Sequence, residues 1–450
     1  MSASEATMGM RPPNGRLRSL LTEAKWTGDA LAREVNALGA EMGLPLHYQR
    51  PSVAQWLVGT QPRPPVPHLI AEAFSRRLGR VVTIEEAGFR GLPRSPSPGP
   101  QDDLVGGLVV LGDPVRAEPH EAHPGRVYSI SLLEHIGKDS PGITQRPRQK
   151  PAGRRIGRAE VLSGTAMLDL FSSADQILGG GHVRRAMSSY LSTTVAPWLE
   201  APSGATVNQH VLSLAARLCY LCAFAHFDDQ QHGTAQRYYA SGLQLARCAD
   251  DLEATALNLR GLSVQAHTLG HRRQALILAE AALEGGRAGT PRRLKAALLG
   301  QQAVAEAAMG ERRLAMAHLL AAERQLDKDP DASAAIGVYH VSSLLHQRAE
   351  AATLLGDGSA ADVAFDQALR NRSAVERRSR VLILHKHAEL QLSRGYLEAA
   401  CVTWHRFLEE YPHVRSKRAD DACLAMRAYL HPHRNNPLAA SLLRKSGDSR

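Results

Sequence analysis

Apolar residues recur along most of the chain at helical rather than strand spacing. Leu17, Leu20, Leu21 and Ala24 follow the i, i+3, i+4, i+7 rule of a helix with one buried face. Thr27 stands where an N-cap belongs, ahead of a second helix carrying Leu31, Ala32, Val35 and Leu38. A third helix is predicted from Pro51-Ser52, with Val53, Trp56 and Leu57 apolar, and it stops at Gly59. Residues 62–67 read as extended connector, because each proline removes a donor and biases its predecessor away from helix. A fourth helix then runs to Leu78 with Leu69, Ile70, Ala73, Phe74 and Leu78 inward, and Thr83 caps a short fifth one at 84–87.

The pattern breaks over 92–155. Pro93, Pro96, Pro98 and Pro100, with Ser and Gly between them, read as linker. An apolar run at 104–111 is interrupted by Gly106-Gly107, and Val127-Tyr128-Ser129-Ile130 has the look of a strand. The stretch holding Arg146, Arg148, Lys150, Arg154, Arg155 and Arg158 contains no acid. Such a run can track phosphates or serve only solubility and spacing.

From Ile156 onward the helical spacing returns and repeats. A Gly followed five residues later by Ala occurs at Gly270/Ala275, Gly310/Ala315, Gly356/Ala361 and Gly395/Ala400, and a copy lacking the Gly lies at Gln230/Ala235. The intervals are 40, 40, 46 and 39 residues. Gly permits a sharp turn between two helices and Ala lets the second approach the first closely. A helix hairpin cannot bury its apolar face alone, so such copies must stack into a solenoid. The expected fold class is therefore all-α: a helical head at 11–91, an irregular linker at 92–155, a helical connector at 156–207, repeats over 208–427 and a tail at 428–450.

At 450 residues the chain is too long for one core. Its 54 Lys and Arg against 44 Asp and Glu give +10, which favours acidic partners and nucleic acid first. Only eight of those cations are Lys, an Arg skew that codon usage can produce. Five Cys, sparse and odd in number, argue against a disulfide framework and for a reducing compartment. The first residues lack a secretory pattern and no apolar run reaches a span of about 18 residues, so a cytoplasmic protein is expected.

Two resemblances carry further expectations. Leu31-Ala32, then Val53-Ala54-Gln55-Trp56-Leu57-Val58-Gly59 with Pro62 and Pro64, resemble the Cro/CI-like (Xre-type) helix-turn-helix. The step from Leu31 to Val53 is 22 residues, about eleven more than that family uses, so 39–48 must lengthen the second helix or bulge as a loop. The Gly-x-x-x-x-Ala turns look like tetratricopeptide repeats, whose unit is 34 residues. A helix-turn-helix head joined to such repeats, with Gly179-Gly180-Gly181-His182 and Gln236-Arg237-Tyr238-Tyr239, is similar to actinobacterial NsdA-type repressors of sporulation and antibiotic production. That resemblance implies a transcriptional regulator of development or secondary metabolism.

In a helix-turn-helix the start of the recognition helix reaches base edges. Arg50, Ser52 and Gln55 occupy that turn; Arg50 suits guanine and Gln55 adenine. Arg16, Arg18, the helix start at Thr27-Gly28, Thr60 and Arg63 are the expected phosphate contacts. The alternative is that these are ordinary solvated residues of a protein-docking module. The head's net charge of only +4 implies weak non-specific binding and a homodimer on two half-sites of double-stranded DNA. In the repeats, Leu257, Leu262, Val264 and Leu269 should pack, leaving Asn258, Arg260 and Gln265 toward a concave face that takes a peptide, small molecule or protein, or nothing. The quorum-sensing receptors that this architecture resembles use an Asn on an inner helix in that way.

Catalytic and metal signals are poor. Cys219-x-x-Cys222 lies in an apolar helical stretch without a second pair, and core packing is the better reading. His267/His271, His385/His387 and His431/His433 are badly spaced or fall in a turn. Gly179-Gly180-Gly181-His182 lacks the ending of a phosphate loop and reads as the end of one helix and the start of the next. No cofactor and no enzymatic activity are expected.

Overall fold

Asn14 starts the fold of the head. Its side chain accepts from Leu17 N (2.9 Å), which caps α1 (Gly15–Ala24), and its Nδ2 donates to Ala87 O (3.0 Å). Its backbone N–H donates to Leu57 O (2.9 Å), so this one buried residue ties the start of α1 to residues 57 and 87. This computed structural model describes residues 12–90, 104–112, 127–136, 147, 154–285, 290–327 and 339–447, and every regular element among them is helical. They fall into two compact units, one from 12–90 and 127–134, the other from 104–112 and 135 onward.

The head contains α1, α2 (Gly28–Glu41), α3 (Arg50–Leu57) and α4 (Val66–Leu78). Thr27 caps α2 as expected, accepting from Ala30 N at 3.2 Å. Leu17, Leu20, Leu31, Val35, Val53, Trp56, Ile70 and Phe74 form the core. The expected fifth helix at 84–87 is a single turn, although Thr83 does cap it through Glu86 N (3.1 Å). The strand expected at Val127 to Ile130 is irregular backbone leading into a helix. Val127 and Tyr128 are buried there, with Tyr128 beside Glu72 and Arg76 of α4, which explains why α4 is buried nearly all round.

The apolar run at 104–111 is also not irregular. It forms α5 (Leu104–Gly112), which belongs to the second unit and packs on 191–199. Burial of Val105 and Leu108 outweighs the helix cost of two glycines, about 1 kcal/mol each. The segment after Val127–Ser129 is α6 (Ile130–Ile136). Pro93, Pro96, Pro98, Pro100, Arg146, Arg148 and Lys150 of the expected linker lie outside the described residues.

In the second unit α7 (Arg158–Leu178) is followed by α8 (Gly180–Tyr190), which passes through a π-helical turn (Leu191–Val195) into α9 (Ala196–Glu200). Five helix hairpins come next: α10 (Ala205–Asp228) with α11 (His232–Cys248), α12 (Leu252–Thr268) with α13 (Arg272–Gly285), α14 (Arg292–Ala308) with α15 (Arg312–Asp327), α16 (Val341–Leu354) with α17 (Gly358–Arg370), and α18 (Arg377–Ser393) with α19 (Leu397–Glu410). Each hairpin packs on the next, a solenoid-like arrangement. All five turns fall at the expected positions. Gly270, Gly310, Gly356 and Gly395 take φ of 87°, 86°, 76° and 85°, and Gln230 adopts the same left-handed region at 60°. Ala235, Ala275, Ala315, Ala361 and Ala400 are completely buried where the helices meet.

The tail expected at 428–450 is largely structured. After α20 (Lys417–Leu430), α21 (Pro437–Lys445) buries Ala439 and Leu442 against α19 and α20. Among the described residues one helix, α10, is long and apolar enough to cross a membrane, but most of it is buried among α7, α8, α11 and α12.

The last repeat also meets the first helices. Gly179, at φ 89°, ends α7, and α8 begins at Gly180, as the sequence implied. These glycines admit the chain before α20: Arg415 N–H donates to Leu178 O (2.8 Å) and Gly181 N–H to Arg415 O (3.0 Å). A Cβ at Gly179 would lie 2.5 Å from Arg415 O. Arg378 of α18 reaches Asp175 of α7 (3.3 Å) and Asp228 of α10 (4.0 Å), all three buried. The repeat array is thereby joined end to end.

Candidate nucleic-acid interface and inner face of the repeats

On α3, Val53 and Trp56 enter the core while Arg50, Pro51, Ala54 and Gln55 are exposed; Ser52 is half-buried. The helix starts converge: a Cβ on Gly28 would lie 3.6 Å from both Arg50 Cγ and Val53 Cβ. The structure therefore brings the Thr27-Gly28 helix start beside Arg50. Thr60 and Arg63 are exposed just past the end of α3. Arg18 is exposed on α1, whereas Arg16 donates to Glu85 O (2.8 Å).

Three other cations of the head are occupied by internal contacts. Arg76 is gripped by Glu41 (2.7 Å) and Glu72 (2.8 Å), which hold its charge above the ordinary arginine range. Arg80 bridges Glu23 and Glu86. Arg77 donates to Ala24 O (3.1 Å) and sits over the Trp26 ring. Arg33, Arg50 and Arg63 have no ion pair among the described residues. The positive charge left for a partner thus includes the residues that flank α3.

The long step before α3 both lengthens and loops. The second helix runs on to Glu41, and 42–49 folds back on it. Asn36 of α2 clamps Tyr48 by donating to its O (2.9 Å) and accepting from its N (2.8 Å). Tyr48 then meets Trp56 edge-on at 5.1 Å. Gly39 leaves room for Leu46, which a Cβ would meet at 2.5 Å. The sequence signal for this clamp, an Asn twelve residues ahead of a Tyr, is too weak to read unaided.

The repeat residues fare differently. Asn258 and Gln265 are completely buried, not on an open face. Asn258 Nδ2 donates to Ala254 O (2.8 Å), and its Oδ1 crowds Gly242, where a Cβ would lie at 2.4 Å. Gln265 Nε2 donates to His232 O (2.8 Å), joining the second hairpin to the first. Leu262 and Leu269 are buried as expected, but Leu257 and Val264 are only half-buried while Leu259 packs instead, so the buried face turns toward Asn258 and Gln265. Arg260 alone of the three is half-exposed, donating to Tyr220 Oη (3.4 Å) and Ala297 O (3.3 Å).

Other side chains do converge on the interior. Glu350 of α16 lies 3.3 Å from Lys386 Nζ of α18 and 3.7 Å from His346 Nε2, with His267 of α12 also acting on it; this positive surround holds its carboxyl near 2. Burial pushes His346 down to about 4. Helices of the second, fourth and fifth hairpins therefore face a shared interior, which sequence spacing within one repeat could not show. Cys219 and Cys222 are core residues, and burial raises the Cys222 thiol to about 12. His387 contacts Asp362 (2.8 Å) and His385 receives the Trp404 indole N–H (3.5 Å); no group of three metal-ligating side chains occurs among the described residues.

Taken together, the fold defines an all-α protein with a small helical head and a helix-hairpin repeat unit. Residues 17–90 match the family model described as the SP15 N-terminal domain, a likeness that spans α1–α4 and the turn after them and no further. No curated protein matches the chain.

Proposed function

We propose that the protein is a cytoplasmic, dimeric, DNA-binding transcriptional regulator of development or secondary metabolism. Its tetratricopeptide-like unit dimerises and senses a peptide, small molecule or protein. The observation that carries this reading is the partition of charge on the head. Arg76, Arg77 and Arg80 are spent on internal contacts, while Arg50 at the convergent starts of α2 and α3 and Arg63 past the end of α3 have no ion pair among the described residues, and Gln55 between them is exposed. Arg and Gln at such a helix start give about 1–3 kcal/mol of base discrimination each.

The test is a salt-titrated selection of genomic fragments by the full-length protein, repeated with Arg50→Ala and Gln55→Ala. Each substitution should lower selectivity by roughly 5- to 150-fold without moving the melting temperature, because both side chains are exposed. Equal binding to selected and scrambled DNA by the unsubstituted protein would end this reading. Loss of 156–450 should weaken operator binding at least about tenfold, since the avidity of two joined heads is removed. A second reading, an adaptor whose head docks protein, is favoured by one feature: Val58, at the end of α3, is 61% exposed, and Ala54 is exposed one turn earlier.

A further inference from the structure

A row of aromatic rings runs along α10, with Tyr220 6.4 Å from Phe224 and Phe224 6.2 Å from Phe227. Three guanidiniums from three other helices meet this row. Arg260 of α12 donates to Tyr220 Oη, Arg378 of α18 sits over Phe224 at 4.7 Å, and Arg418 of α20 over Phe227 at 4.8 Å. Arg378 is neutralised by Asp175 and Asp228. Arg260 and Arg418 have no carboxylate within ion-pair distance among the described residues, and both remain half-exposed, as do Tyr220 and Phe224. Burial and the neighbouring Arg378 pull the Arg418 pKa below the ordinary arginine value, although the carboxylates of Asp228 and Glu350, beyond ion-pair distance, pull the other way. Cations held this way without a carboxylate in direct contact are costly to the empty protein and strengthen on meeting an anion.

We propose that this row binds a small organic anion, its phosphate or carboxylate taken by Arg260 and Arg418 and its apolar body resting on Tyr220 and Phe224. The proposal deepens the sensing part of the functional reading, on which it rests, and does not depend on the head's binding DNA.

Calorimetric titration of the full-length protein with phenyl phosphate, phenylacetate, inorganic phosphate and benzyl alcohol tests it without DNA present. Phenyl phosphate or phenylacetate should bind at least about tenfold more tightly than benzyl alcohol, which lacks the charge, and phenyl phosphate more tightly than inorganic phosphate, which lacks the ring. The stronger of the two aromatic anions identifies the acid group. The double variant R260Q/R418Q should lose at least about tenfold in affinity, with near-ultraviolet dichroism showing that it remains folded. Arg313→Gln, exposed on α15, should bind normally. Equal affinity for the charged and neutral probes overturns the proposal whether or not the variant folds, and so does undiminished binding by R260Q/R418Q. Operator titration of the same preparation judges the regulator reading separately.

Discussion

Gln230 occupies the one hairpin turn that lacks glycine, and its replacement tests how the repeat array is held together. Its backbone is left-handed at φ 60°, a conformation that costs a residue with a side chain about 1–2 kcal/mol and costs glycine little. Glycine returns part of that advantage through the greater freedom of its unfolded chain, leaving a net backbone gain of about 1 kcal/mol. Against this stand two side-chain bonds: Gln230 Nε2 donates to Asp421 of α20 (2.7 Å), and Oε1 accepts from His232 Nε2 (2.8 Å). At about 1 kcal/mol each they outweigh the strain. Gln230→Ala removes both bonds and keeps the strained backbone, a loss of about 2 kcal/mol. Gln230→Gly removes the bonds but relieves the backbone, a loss of about 1 kcal/mol. In a unit of this size about 1 kcal/mol moves the midpoint by about 2 °C, so scanning calorimetry should rank the unsubstituted protein above the glycine variant and that above the alanine variant. A glycine variant no more stable than the alanine variant would refute the reasoning, for it would mean that Gln230 is not held left-handed.

Trp56→Ala should unfold the head, since a 3% exposed ring packed on Tyr48 is worth about 3–5 kcal/mol; a folded variant by near-ultraviolet dichroism would contradict that burial. Arg378→Ala leaves Asp175 and Asp228 buried without their cation and should cost about 3–5 kcal/mol; the combination of Arg378→Met with Asp175→Asn and Asp228→Asn should recover most of the loss in a melting experiment. Acidification should act through His226, which burial drops to about 3 from its ordinary 6.5. The unfolded chain takes up a proton below pH 6.5 that the folded chain refuses until about pH 3, so stability present above 6.5 is lost as pH falls through that window. His226→Gln should flatten the loss between pH 6.5 and 5, and identical slopes in the two proteins would count against this assignment.

Local chemistry determined a large part of this protein. Leu17, Leu20, Leu21 and Ala24 announced α1, Thr27 announced the start of α2, and the Gly-to-Ala offset located all five hairpin turns, including the one built on Gln230. Each of these signals is complete within one or two helical turns, because capping, left-handed turns and close helix approach depend on neighbours a few residues away. The strand expected at 127–130 and the irregular run expected at 104–111 differ from the structure because burial against distant partners decides them: α4 for Tyr128 and residues 191–199 for α5. The placement of Asn258 and Gln265 failed for a related reason. In a helix packed between two hairpins the buried stripe is broad, and only the neighbouring helices decide which polar residues fall inside it. Asn14, Arg378 and the aromatic row met by Arg260 and Arg418 join residues 40 to more than 200 positions apart, and such encounters exist only once the array has folded and its last repeat has met its first helices.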